Sequence, residues 1–119
     1  MWPARLSAKQ QQGQLGEQQA LAYLQQQGLS LVETNFNCKA GEIDLIMRER
    51  DTLVFVEVRK RDGSYRGAAA DSITPAKKRR VIRAAQLYLS RFAQMPACRI
   101  DVVTIDGGAL EWLPNAIEV

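Results

Sequence analysis

Apolar positions recur along the chain with two different periods. Ala20, Leu21 and Leu24 follow a glutamine-rich start at helical spacing, and Gly28 stands where a helix C-cap belongs, so a helix is expected over residues 7–27. Residues 29–37 read as a strand that ends in a turn through Lys39-Ala40-Gly41. Residues 42–47 and 53–58 are two apolar, β-branched runs around Arg48-Glu49-Arg50-Asp51, which predicts a hairpin. A Gly-containing, mobile-looking stretch (62–71) precedes Thr74-Pro75, an N-cap with proline at the first helical position. Val81, Ile82, Ala85, Tyr88, Leu89 and Phe92 then predict a helix to about residue 93, ahead of Pro96. Strands over 99–105 and 109–113 flank the turn Gly107-Gly108. The expected order is α-β-β-β-α-β-β. That is an α/β fold in one domain over residues 1–119, with residues 1–14 a frayed polar N-terminus.

Two acids interrupt the apolar strands. With the hairpin turn centred between Arg50 and Asp51, Asp44 falls opposite Glu57, and Glu42 opposite Arg59. Directly opposed side chains have Cβ atoms about 4.5–5.5 Å apart, and like charges there are destabilising. Such a pair needs a shared proton, cationic side chains or a metal, and a hard divalent cation such as Mg²⁺ suits carboxylate oxygens. A register slip of one residue would separate the two acids onto opposite faces. The other reading makes them structural partners of Arg59 or Arg48. A third acid, Glu17, shares the stripe of Ala20, Leu21 and Leu24, which could bring it to the same site. It could equally be a partner of the helix dipole.

Composition narrows the chemistry. The chain has no histidine, which excludes Ser-His-Asp triads, Cys-His dyads and histidine-ligated metals. Cys38 and Cys98 form no CxxC pair, so zinc ribbons and thioredoxin-type motifs are excluded. A single disulfide between them is open, though two scattered thiols suit a reducing compartment better. The N-terminus has no apolar signal-peptide core and the apolar runs are only strand-length, so a soluble, cytoplasmic protein is expected. Net charge is +3, but its distribution is lopsided. Residues 59–91 carry ten Lys/Arg against two Asp/Glu, and the rest of the chain six against eleven. A basic block of this kind reads as a phosphate-tracking surface or, more plainly, as a solvated helix face.

Gly41-Glu42-Ile43-Asp44-Leu45-Ile46 followed by Val54-Phe55-Val56-Glu57-Val58-Arg59 resembles the YraN-like family of small bacterial proteins, within the restriction-endonuclease-like PD-(D/E)xK nuclease superfamily. The resemblance spans residues 16–116. It takes in Gly16-Glu17 with Ala20 and Tyr23-Leu24, Thr74-Pro75-Ala76-Lys77, Arg99-Ile100-Asp101-Val102-Val103 and Asn115-Ala116. It implies an αβββαβ core with a central mixed sheet flanked by helices, and metal-dependent phosphodiester cleavage with Mg²⁺ or Mn²⁺. Similarity to archaeal Holliday-junction resolvases implies branched or structured DNA. By this resemblance Asp44 and Glu57 are the metal-binding acids, and Glu17 completes the shell. Arg59 stands where the superfamily has lysine. Arginine cannot serve as a base, but it can stabilise charge on a reacting phosphate. Lys60 is expected on the opposite strand face.

Two functions follow. One is a Mg²⁺-dependent endonuclease with Asp44, Glu57, Arg59 and Glu17 at its centre. In it Lys77, Lys78, Arg79, Arg80 and Arg83 contact flanking phosphates, helped by the helix start at Thr74. The alternative is a non-catalytic nucleic-acid-binding module on a nuclease fold. A scaffold for an acidic protein is a weaker third reading. DNA is the expected partner and a membrane is not. A homodimer is left open, because paired cuts in branched DNA favour two-fold symmetry. Phe36, Trp112 and Tyr65 are candidates for base stacking, with Phe36 and Trp112 expected to pack in the core or at an edge.

Overall fold

The computed structural model of the chain describes residues 8–61 and 67–118. The apolar runs build one five-stranded sheet in which β1 (Ser30–Cys38), β2 (Gly41–Glu49), β3 (Thr52–Arg61), β4 (Cys98–Asp106) and β5 (Ala109–Ile117) lie side by side in chain order. Neighbours are antiparallel except β3 and β4, which run parallel. A parallel pair needs a crossover. Here that connection carries a short helix, α2 (Ala68–Asp71), and the longer α3 (Pro75–Leu89). Helix α1 (Ala8–Gln26) packs on the sheet through Ala20 and Leu24. The fold is mixed α/β, a five-stranded mixed sheet flanked by helices, and is compatible with a restriction-endonuclease-like core.

Strand alternation sorts the core into two layers. Leu53, Phe55, Ile100 and Val102 face α3 and meet Val81, Ala84, Ala85, Tyr88 and Leu89. Val54, Val56, Val58, Val103 and Ile105 face α1. Thr74 caps α3 by accepting the Lys77 N–H at 3.2 Å, with Pro75 at the first helical position, as expected. Phe36 packs edge-on against Tyr88, with ring centroids 5.2 Å apart. Trp112 packs edge-on against Tyr23 at 6.4 Å. Tyr65 lies outside the described residues.

Several boundaries depart from the sequence reading, each for a local reason. Helix α3 stops at Leu89, and the chain tightens after it into a turn in which the Arg91 and Phe92 N–H groups donate to the Tyr88 and Leu89 carbonyls, leaving Phe92 38% exposed. The stretch expected to be mobile contains α2, whose N-terminus is tied to β4: Asp106 accepts from the N–H groups of Gly67 and Ala69. Residues 62–66 of that stretch lie outside the description. Of the polar start expected to fray, residues 1–7 lie outside it too, and the chain is helical from Ala8. Strand β5 runs four residues further than expected, to Ile117. Beyond Leu113 its register shifts, and the buried Asp101 carboxylate accepts the Asn115 N–H at 2.8 Å in place of a ladder bond. Cys38 and Cys98 are free thiols.

Candidate active site at a fork in the sheet

The site lies where two strands part. The β2–β3 ladder has the expected register, Leu45 opposite Val56, and it ends there. The next residues in that register are Asp44 and Glu57. Beyond this point Ile43, Glu42 and Gly41 pair only with β1, and Glu57 onward only with β4. A notch therefore opens at the sheet end. Its floor is held by a side chain rather than the backbone, since the Val58 N–H donates to Asp44 Oδ2 at 2.7 Å.

Two of the sequence-predicted acids, Asp44 and Glu57, stand at this notch, and Glu17 lies near enough to Asp44 to feel its charge. The Asp44 carboxylate acts on both Glu57 and Glu17, raising each. Glu57 is buried, facing α3, and shares a cleft of about 140 Å³ with Glu42, Arg59, Lys77, Arg80 and Val81. Glu17 lines a second cleft, of about 210 Å³, with Gln14, Gln18, Leu21, Thr34, Asn35 and Leu45. Asp44 thus joins acids that lie in two different clefts.

Burial sets the electrostatics. Desolvation, then the charge of Asp44 and a hydrogen bond to it, push Glu57 up to about 9. The same causes push Glu17 up to about 7, against an opposing hydrogen bond from Asn35. Burial also raises Asp44, although the Val58 N–H and the Glu57 carboxyl both stabilise its anion. Without a cation, then, Glu57 keeps a proton through neutrality, and Asp44 is the acceptor of the group.

A second buried acid shows what a structural carboxylate looks like in this sheet. Asp101 is 0% exposed, and its oxygens accept from Arg99 Nε at 3.0 Å, Trp112 Nε1 at 3.0 Å and the Asn115 N–H. Arg99 also bridges to Glu49 at 2.8 Å. Glu57 has no comparable set of donors. Its ion pair is with Arg59 at 3.8 Å, and Arg48 bridges neither Glu57 nor Asp44. Glu42 and Arg59, expected to be opposed, lie beyond the end of the ladder and meet only as lining of the same cleft.

The cationic residues fall into two sets. Lys77 and Arg80 line the cleft beside Glu57, while Lys78, Arg79 and Arg83 are exposed on α3 outside that lining. Arg59 is anchored, with Nε donating to Ser72 Oγ at 2.9 Å. Lys60 takes the opposite face, as expected, and donates to Gln19 at 3.1 Å. Asn35 and Ser72 were missed in the sequence. An asparagine inside a strand is a weak signal of irregular backbone, and Ser72 gives no signal at all.

Among the described residues, no three His, Cys, Asp or Glu side chains converge as a ready-made ion shell. The donor chemistry nevertheless fits a divalent ion of the Mg²⁺ type. Such an ion is held by one or two carboxylates and otherwise keeps its waters, and Asp44 with Glu57 supplies two carboxylates with Arg59, 3.8 Å from Glu57, as their only ion-pair partner among the described residues. Burial also pushes the Cys98 thiol up, away from nucleophilic use.

Residues 16–105 match the uncharacterised protein family UPF0102. A UPF0102 protein of Cupriavidus metallidurans is 60% identical over 119 residues, covering 98% of this chain and 89% of its own. One of Herminiimonas arsenicoxydans is 57% identical over 112 residues, covering 94% and 90%. One of Alkalilimnicola ehrlichii is 54% identical over 106 residues, covering 87% and 84%.

Proposed function

Starting from the fact that the chain belongs to the uncharacterised protein family UPF0102, we propose that it is a divalent-metal-dependent endonuclease that hydrolyses DNA phosphodiesters, with branched or structured DNA as its substrate class. One observation carries the reading. Asp44 and Glu57 sit at the fork of β2 and β3 without the donors that satisfy Asp101, and the basic residues Lys77 and Arg80 stand beside them. In this reading Asp44 and Glu57, with Glu17 alongside, hold Mg²⁺ or Mn²⁺. When bound, such an ion supplies Lewis acidity and activates water for attack on phosphorus.

The chain's own residues do the rest. Lys77 and Arg80 orient the phosphate in the cleft, and Arg59 stabilises the negative charge that builds on it. Lys78, Arg79 and Arg83 hold flanking backbone without reading bases. Action in the cytoplasm belongs to the same reading and is supported by the two free thiols. One observation favours the alternative of a non-catalytic nucleic-acid-binding module: the Arg59 guanidinium is already engaged by Ser72 and Glu57.

Cleavage of branched, single-stranded and duplex DNA in Mg²⁺ and in Mn²⁺ separates the two. Arg59→Lys is expected to cut at least as well as the parent. Arg59→Ala should lose about 10²-fold, the scale of removing one charge-stabilising donor, and Asp44→Asn should be inert. If the parent and Arg59→Lys bind DNA but cut none of these substrates, the binding module stands and the enzyme does not.

A further inference from the structure

The Arg59 side chain is only 17% exposed, so whatever holds it decides where its charge points. Its Nε–H donates to Ser72 Oγ at 2.9 Å. A serine hydroxyl has a single proton, and that of Ser72 goes to the Ala69 carbonyl oxygen at 2.6 Å. The Ser72 oxygen therefore meets Arg59 as an acceptor, the one role that a guanidinium, which only donates, can use.

Ser72 is itself pinned. It caps the C-terminal end of α2, a single turn too short to hold its place alone. Asp106 on β4 ties the start of that turn, accepting from the Gly67 and Ala69 N–H groups at 3.2 and 2.7 Å. Ile73, next in the chain, packs against the core on the α3 side. The hydroxyl is thus placed from the sheet.

A guanidinium can offer a phosphate paired N–H groups along an edge that includes Nε or along the edge formed by its terminal nitrogens. Ser72 takes the Nε–H. That leaves the terminal edge for the cleft that Arg59 lines with Glu57, Lys77 and Arg80. There Nη1 stands 3.8 Å from Glu57 Oε1, inside ion-pair range and beyond a hydrogen bond. A lysine at this position would carry a methylene where Nε lies, with no proton to give the serine at that point.

The geometry points to Ser72 as a positioning residue: by taking the Nε–H of Arg59 it turns the terminal edge of the guanidinium toward a phosphate in the cleft, as a two-pronged clamp. This rests on the endonuclease reading proposed above and deepens it. Ser72 acts through Arg59 and touches no substrate.

Steady-state cleavage in Mg²⁺ tests it, on whichever of branched, single-stranded and duplex DNA the parent cuts fastest. Ser72→Ala should lower kcat about 10-fold, the low end of the scale for a hydrogen bond to a charged group. KM should stay within about twofold of the parent, as for an interaction made in the transition state. Ser72→Thr keeps the hydroxyl and should recover most of the loss. On the Arg59→Lys background Ser72→Ala should add nothing, since the serine and the arginine act as one unit. Should Ser72→Ala melt lower than the parent, that background still decides, because a damaged fold would cost both alike. A parent-like kcat in Ser72→Ala, a loss that threonine does not recover, or the same loss on the Arg59→Lys background would overturn the assignment and leave the endonuclease standing. A parent that cuts none of the three DNAs would bring both down.

Discussion

Glu57 and Asp101 look alike in the sequence, each an acid within an apolar strand, and the difference between them lies wholly in their neighbours. Asp101 accepts from a guanidinium, an indole and a backbone N–H. Glu57 meets Asp44 and one distant guanidinium. Replacing Asp101 with Asn should therefore cost about 3–5 kcal/mol, the scale for breaking a buried charged pair, as read by urea unfolding. Glu57 should behave in the opposite way. Its carboxyl is pushed up from 4.5 to about 9 and that of Glu17 from 4.5 to about 7, so the folded chain binds more protons than the unfolded one between those limits. Their stabilising contribution is full below about pH 4.5 and is lost as pH rises through 7 toward 9. In metal-free buffer, urea midpoints should fall between pH 6 and pH 9, by on the order of a few kcal/mol in stability. Glu57→Gln should flatten most of that slope.

Elements were more legible than their ends. The hairpin register could be read because two short apolar runs around a polar turn leave few alternatives, and that register is what brings Asp44 to Glu57. The fork itself was not legible, since nothing local in residues 41–44 says that β2 leaves β3 for β1 alone. Nor was the extension of β5, which depends on Asp101, fourteen positions before the N–H it satisfies. Glu17 could be placed on the correct helix stripe, but the left-handed backbone at Asn35, which lines the same cleft, is something no periodicity reveals. One element contact bears directly on the site. A Cβ at Gly41 would run into the Arg80 carbonyl oxygen and lie 2.8 Å from its carbonyl carbon. Helix α3 thus rests on the bare backbone of β2, which sets Lys77 and Arg80 at the cleft. Gly41→Ala should push α3 away, cost about 1–3 kcal/mol as overpacking does, and weaken DNA binding. Denaturant titration and fluorescence anisotropy would read the two effects.

At the scale of the whole molecule, five of the ten bases in the 59–91 block lie on α3, and two of them, Lys77 and Arg80, share a cleft with Glu42, Glu57 and Arg59 at one sheet end. No described helix is long and apolar enough to cross a membrane. Phosphate contacts made by α3 should give DNA binding that weakens steeply with salt and depends little on sequence. Reversing Arg79 and Arg83 to Glu should weaken binding to every DNA sequence alike and flatten the salt slope, as measured by anisotropy between 50 and 200 mM salt, roughly the range over which such contacts are lost. The central claim is narrower: the acids at the fork are a cation site and not structural ion-pair partners. Thermal unfolding at pH 8, with and without Mg²⁺, tests it on the parent and Glu57→Gln. The parent should melt higher with Mg²⁺, by about 2.7 kcal/mol of stability at a hundredfold excess over the dissociation constant. Glu57→Gln should melt at or above the parent without Mg²⁺ and gain nothing from adding it. A parent indifferent to Mg²⁺, together with a Glu57→Gln variant that melts well below it in metal-free buffer, would contradict the claim and make Glu57 a structural partner of Arg59.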